Sequence, residues 1–159
     1  MPIKRRKDQA VISIGSILLI LALDQCLKSI IRLKLDVGES IPLINNILHV
    51  TFVTNTGAAF GLFKNSTLLF VIISLVAILF TSVLITLSIK RHEFLSRPVF
   101  NFGLILITSG ALGNLIDRLR FGYVVDFIDV RIWPVFNIAD SSITIGTFLL
   151  ILSSIYYRK

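Results

Sequence analysis

Four long stretches of this chain are almost wholly apolar, and short polar stretches separate them. They cover about residues 10–31, 66–89, 98–116 and 137–157. A helix that crosses a bilayer needs about 20 mostly apolar residues, so each stretch predicts one spanning helix. The second carries no charge at all. The first holds Asp24 and Lys28 near its far end, and the fourth holds Asp140 in its first turn. Pro98 suits the opening turn of the third helix, and Asn137 suits the cap of the fourth.

The pattern changes period between the first two spans. Over Ile47–Thr54 the chain is rich in β-branched and aromatic residues. Leu48, Val50, Phe52 and Thr54 would share one face of a strand, and His49, Thr51 and Val53 the other. A partner strand is expected near Glu39–Ile44, with Gly38 and Pro42 as turn signals. Gly122–Asp129 also reads as extended, with Val124, Asp126 and Ile128 on one side and Val125, Phe127 and Asp129 on the other. The expected fold is a membrane all-α fold: four transmembrane helices with a small extracytoplasmic β-sheet region over about 32–65. There is no internal repeat or low-complexity linker, so residues 1–159 are expected to form one domain.

Composition strengthens this reading. The chain is 55% hydrophobic and only 16% charged, with a mean hydropathy of +0.87. Soluble domains are about 45–50% apolar and about 25% charged. The net charge is +7, and its placement matters more than its size. Lys4, Arg5, Arg6 and Lys7 precede the first span, Lys90, Arg91 and Arg97 separate the second and third, and Arg158 and Lys159 end the chain. Those nine bases, less Asp8 and Glu93, put +7 on one side, while the other side has seven bases and seven acids. The positive-inside rule then places both termini and the 90–97 loop in the cytoplasm. Short basic clusters that hug membrane ends argue against a nucleic-acid partner. One cysteine, Cys26, excludes an internal disulfide, and it is expected to be a small packing residue. Asp24 and Gln25 are not the small residues a cleavage box wants before a cysteine, so the first helix is read as uncleaved.

The acids carry the candidate chemistry. Carboxylates near hydrocarbon are costly and usually kept for a function. Asp126 lies among apolar strand residues, and Asp140 opens the last span fourteen positions later. Brought together, two such groups share one proton, the arrangement of an aspartic protease. A helix start also favours a negative charge at Asp140. Asp140 alone is explained as a partner for the helix dipole, but that does not explain Asn114, Asp117 and Arg118 gathering at the same membrane face. Gly110, Ala111 and Gly113 make a thin helix surface for close packing, and Asn114 and Asp117 share a helix face. A simple interface anchor would pair Asp117 with Arg118, or Asp24 with Lys28 four residues on. Asn55-Thr56-Gly57-Ala58-Ala59-Phe60-Gly61 suits either a tight turn or a close backbone approach to a ligand. Asp129 is expected at a loop near Arg131.

A purely structural membrane protein would leave the acid cluster unexplained, and two rival chemistries fit it less well. A transporter or proton channel wants its acids near the midplane, along a path across, whereas these collect at one face. A metal-dependent lipid enzyme would use Asp126 and Asp129, but His92 is cytoplasmic and His49 lies in the outer strand.

Taken in order, these motifs resemble the lipoprotein signal peptidase family, also called signal peptidase II. The matching pieces are Asp24-Gln25 with Lys28, Asn55-Thr56-Gly57-Ala58-Ala59-Phe60, Gly110-Ala111-Leu112-Gly113-Asn114 with Asp117-Arg118, Val124-Val125-Asp126-Phe127, and Phe136-Asn137-Ile138-Ala139-Asp140-Ser141. The resemblance implies a bacterial membrane aspartyl peptidase that removes signal peptides from diacylglyceryl-modified prolipoproteins. It implies Asp126 and Asp140 as the catalytic pair. Asn55, Gly57, Asn114, Arg118 and Asn137 would line or support the site, with Asp24, Lys28 and Asp117 behind them. The loop between the two catalytic positions is short for the family. The expected partners are lipid-modified prolipoproteins and membrane lipids, with no cofactor and no metal, and the chain is expected to act as a monomer. The segment after Gly57 is expected to cover a bound peptide, and the site to face outward from the cytoplasmic membrane.

Overall fold

A computed structural model of the chain describes residues 2–57, 63 and 66–156, with side chains from residue 5 onward. Ala58, Ala59, Phe60 and Gly61, with the cover expected there, lie outside the described residues, as do Arg158 and Lys159. The elements run α1 (Pro2–Lys34), β1 (Ser40–Ile44), β2 (Leu48–Asn55), α2 (Thr67–Lys90), α3 (Pro98–Phe121), β3 (Val124–Asp129) and α4 (Ile138–Tyr156). All four helices are long and apolar enough to cross a membrane.

Two helix ends pass beyond the apolar stretches. The 33 residues of α1 span about 50 Å at 1.5 Å per residue, more than the hydrocarbon thickness, so its basic start and its Arg32–Lys34 end emerge from the core. α3 continues past Ile116 to Phe121 and stops at Gly122, whose φ of 78° is left-handed and whose N–H bonds to the Arg118 carbonyl at 3.0 Å. Apolar runs locate hydrocarbon; a glycine in the left-handed region ends the helix. Asp117 and Arg118 are therefore helical, not part of a loop.

α3 packs against each of the other three helices. Gly103 and Gly146 let α3 and α4 approach closely: a Cβ on Gly103 would stand 2.9 Å from the Gly146 carbonyl oxygen. Side chains such as Leu18, Leu19, Leu79, Phe80 and Phe148 point outward, as expected where the solvent is lipid. Cys26 is exposed rather than packed. Toward the end of α1 the inward stripe is Asp24, Lys28 and Ile31, continued by Leu35 just beyond the helix, and Cys26, two positions after Asp24, is turned to the opposite face.

The ends of the bundle differ. At one, Arg6 Nη2 on α1 meets the Lys90 carbonyl at the end of α2. At the other, the end of α1, the end of α3 and the start of α4 meet a three-stranded antiparallel sheet of order β1-β2-β3. The hairpin partner expected near residues 39–44 is β1. Val125 and Phe127 turn to one side of β3 and pack with Ile31, Leu35 and Phe52.

β2 does not alternate as its sequence suggests. His49 pairs with Asp129 and Val50 with Ile128, yet Val53 pairs with Asp126. Three steps along β2 match two along β3, so one extra residue is accommodated at Thr51-Phe52, a β-bulge. His49 and Val53 thus lie on opposite faces, although strict alternation puts them on the same one. The slip also turns Asn55 toward the face that carries Asp126.

Candidate active site

β3 delivers Asp126. Its neighbours Val125 and Phe127 anchor the strand in the core, leaving Asp126 on the opposite face. The loop 130–136 returns, and Phe136 pairs with Ile128. Asn137 then caps α4: its Oδ1 accepts the Asp140 N–H at 2.8 Å, and its own N–H points back to Asp140 Oδ2 at 3.4 Å. This reciprocal arrangement resembles a capping box. It fixes Asp140 in the first turn of α4 and places a fully buried carboxamide between the two acids.

That carboxamide reaches both. Asn137 Nδ2 donates to Asp126 Oδ1 at 2.7 Å, and also lies 3.2 Å from the Val125 carbonyl and from Asn114 Oδ1. Asn55 Nδ2 donates to Asp126 Oδ2 at 2.9 Å, and Asn114 Nδ2 to Asp140 Oδ1 at 2.7 Å. Asp126 and Asp140 therefore receive N–H donors from neutral amides. Burial, and then the charge of Asp140, push the Asp126 carboxyl from its usual 3.8 up to about 7, against the donors of Asn55 and Asn137 and the charge of Lys28. A carboxyl in such surroundings keeps its proton near neutral pH.

Both acids border one cavity of about 810 Å³. Asn55, Gly57, Asn114 and Arg118 line it with them, and its walls are largely apolar: Phe70 and Ile73 from α2, Ile107 and Ala111 from α3, Ile143 from α4, and Trp133–Phe136 from the returning loop. Arg118 Nη2 donates to the Gly57 carbonyl at 3.3 Å, and the guanidinium stands 4.9 Å from the centre of the Phe70 ring.

Behind the cavity, Lys28 Nζ lies 2.9 Å from Asp24 Oδ2, 3.0 Å from Asp117 Oδ2 and 3.0 Å from Asn114 Oδ1. Asp117 thus pairs with Lys28, not with its neighbour Arg118. Asp24 Oδ1 accepts the Ala139 N–H at 2.9 Å, and Asp117 Oδ2 accepts the Val125 N–H at 3.1 Å. Gln25 Nε2 adds contacts to the Gly113 carbonyl at 3.1 Å and Asp117 Oδ1 at 3.0 Å.

The structure brings all ten expected site residues to one end of the bundle. Six line the cavity; Asn137, Asp24, Lys28 and Asp117 stand behind it. Asp129 is set apart on the other face of the sheet, clamped to Arg131 at 3.0 Å and to Thr51 at 2.8 Å. The sequence pattern gave the loop residues Trp133 and Phe136 no place in a cavity, and it gave Phe70 no role. Both omissions follow from reading apolar residues as generic wall material: nothing in their local pattern marks which of them face a cavity.

A family model described as signal peptidase (SPase) II matches residues 16–156. A lipoprotein signal peptidase of Halothermothrix orenii is 48% identical over 136 residues, covering 86% of this chain and 90% of that protein. One from Moorella thermoacetica is 52% identical over 134 residues, covering 84% and 85%. A solved bacterial membrane enzyme superposes with a TM-score of 0.82 at 34% identity, covering 91% of this chain and 87% of its own.

Proposed function

The chain belongs to the signal peptidase II family, and on that premise we propose that it is an aspartyl endopeptidase cutting diacylglyceryl-modified prolipoproteins before the lipidated cysteine. The family makes it a membrane peptidase of lipoprotein precursors; the catalytic type, the cleavage position and the lipid requirement are our reading. One observation carries it. Asp126 and Asp140 border the same cavity, both tied to Asn137, and that cavity has apolar walls.

The chemistry runs through a pair that holds one proton. Asp126, with its carboxyl raised to about 7, is the protonated partner. Asp140, at a helix start and facing the Asn114 and Asn137 donors, is the ionised one. Asp140 takes a proton from water, whose oxygen attacks the scissile carbonyl carbon. Asp126 polarises the carbonyl oxygen. Collapse of the tetrahedral intermediate passes a carboxyl proton to the leaving nitrogen as the C–N bond breaks, and the pair is left again with one proton. The two acids titrate as a unit. Arg118 is placed to meet a substrate carbonyl or a headgroup phosphate.

We further read the chain as one domain acting as a monomer. The charge bias puts both termini in the cytoplasm and the site toward the outer face. The test is incubation of purified protein with a diacylglyceryl-modified lipobox peptide beside its unlipidated twin. Cleavage of the first alone, before its cysteine, is expected. Equal cleavage of both, or a cut elsewhere, would defeat the proposed specificity.

A further inference from the structure

We propose that Lys28 is a positioning residue for catalysis: its ammonium fixes which way the Asn114 carboxamide faces, and so guarantees Asp140 an N–H donor. The proposal rests on Asp126 and Asp140 being the catalytic pair.

The argument starts from what a lysine can do. An ammonium has three donors and no acceptor. Lys28 is 2% exposed, and its three protons have three oxygens: Asp24 Oδ2 at 2.9 Å, Asp117 Oδ2 at 3.0 Å and Asn114 Oδ1 at 3.0 Å. Asn114 is therefore obliged to turn its oxygen to Lys28. Its nitrogen must then face the other way, where it donates to Asp140 Oδ1 at 2.7 Å. A flipped Asn114 would set N–H against ammonium and oxygen against carboxylate, two repulsive contacts in one move. The Asn137 carboxamide is held in register by the same oxygen, since its Nδ2 lies 3.2 Å from Asn114 Oδ1 while donating to Asp126 at 2.7 Å.

The other two protons of Lys28 lead to the same place. Asp24 accepts one and, with its other oxygen, the N–H of Ala139, next to Asp140; Asp117 Oδ2 accepts the other together with the N–H of Val125, next to Asp126. One cation thus ties α1 to both segments that carry the pair. Among the described residues, the charged groups around the pair are Lys28 and Asp24 from α1 and Asp117 and Arg118 from α3. The positive charge of Lys28 opposes the raised titration of Asp126.

The test uses the full chain in detergent with the lipidated peptide. Lys28→Met removes the cation, and Lys28→Met with Asp117→Asn removes one charge of each sign, so that the buried balance is kept. In each folded variant kcat is expected to fall about 100-fold, as for a small misplacement of catalytic groups, with KM within about threefold. The alkaline limb of the pH–rate profile should move up, because the ionised pair has lost a donor. A folded variant with kcat within threefold and the limb in place would overturn the proposal. So would unfolding of the balanced double variant, which would make Lys28 purely structural. Asp126→Asn and Asp140→Asn run alongside: if those remain active, it is the catalytic reading that fails.

Discussion

Two groups of acids share one end of this bundle, and they are held in opposite ways. Asp24 and Asp117 flank an ammonium at 2.9 and 3.0 Å, and each also accepts a backbone N–H. Asp126 and Asp140 have no cation within ion-pairing distance among the described residues; their partners are the carboxamides of Asn55, Asn137 and Asn114. Neither of the first two borders the cavity, and both of the second do. A buried carboxylate whose charge is neutralised on the spot becomes scaffold. One that meets only neutral donors keeps a perturbed titration and stays available for proton transfer. On the proposed catalytic reading, the same residue type is divided between structure and chemistry by its nearest cation.

The sharpest way to break this division is to remove a charge from the second group. Asp126→Asn and Asp140→Asn should each reduce cleavage of a lipidated precursor by about 10³-fold or more, in line with the contribution of general acid–base groups. Both proteins should stay inserted and folded. A variant that processes its precursor at near wild-type rate would remove that residue from the chemistry.

How much of this contrast was legible in the sequence depends on distance along the chain. The four helices, the β1–β2 hairpin and the identities of the acids follow from apolar run length, period and the cost of charge near lipid. The Asp24–Lys28 pair follows from i,i+4 spacing. What could not be read is anything that depends on a long-range meeting. Asp117 pairs with a lysine 89 positions away rather than with Arg118 beside it. Asn55 reaches Asp126 only because the bulge at Thr51-Phe52 reverses the alternation of β2, and no turn residue marks that bulge. Cys26 was misread because the buried stripe of α1 is narrow and its phase is set by Asp24 and Lys28, not by hydrophobicity.

The first group is tested through stability. Asp24→Asn leaves an amide whose two ends must face Lys28 Nζ and the Ala139 N–H, both donors. Whichever way it turns, one donor meets another, and the loss should be about 2–4 kcal/mol, read as unfolding in detergent. Asp126→Asn also sets one N–H against a donor, Asn55 or Asn137, but it faces neutral amides and no ammonium, so its loss should be smaller, about 1 kcal/mol. Equal losses for the two would erase the distinction between scaffold and reactive acids.

A smaller effect probes the ridge that brings the groups together. A Cβ on Gly110 would collide with the Ala139 carbonyl oxygen and meet Ile143 Cγ1 at 2.8 Å. Gly110→Ala should push the first turn of α4 away, costing about 1–3 kcal/mol of stability as overpacking does. Its effect on kcat should exceed that on KM, since Asp140 rides on that turn. A change confined to KM would mean that the α3–α4 spacing serves only substrate binding.

The smallest effect is one of pH, and its sign follows from Asp126. Its carboxyl is raised from 3.8 to about 7, so the folded protein holds the proton more tightly than the unfolded chain does. The stability this contributes is complete below about pH 4 and is lost as pH rises toward 7. Catalysis loses its acid over the same upper limit, so kcat/KM should fall about tenfold per pH unit above about pH 7. Asn55 donates to the ionised form of Asp126 at 2.9 Å and holds its titration down. Asn55→Ala should therefore move the alkaline limb up by about one pH unit, the worth of a hydrogen bond to a charged group, while kcat itself drops. A limb that stays put in Asn55→Ala, or moves down, would show that the proton lost near neutrality does not belong to the carboxyl that Asn55 touches.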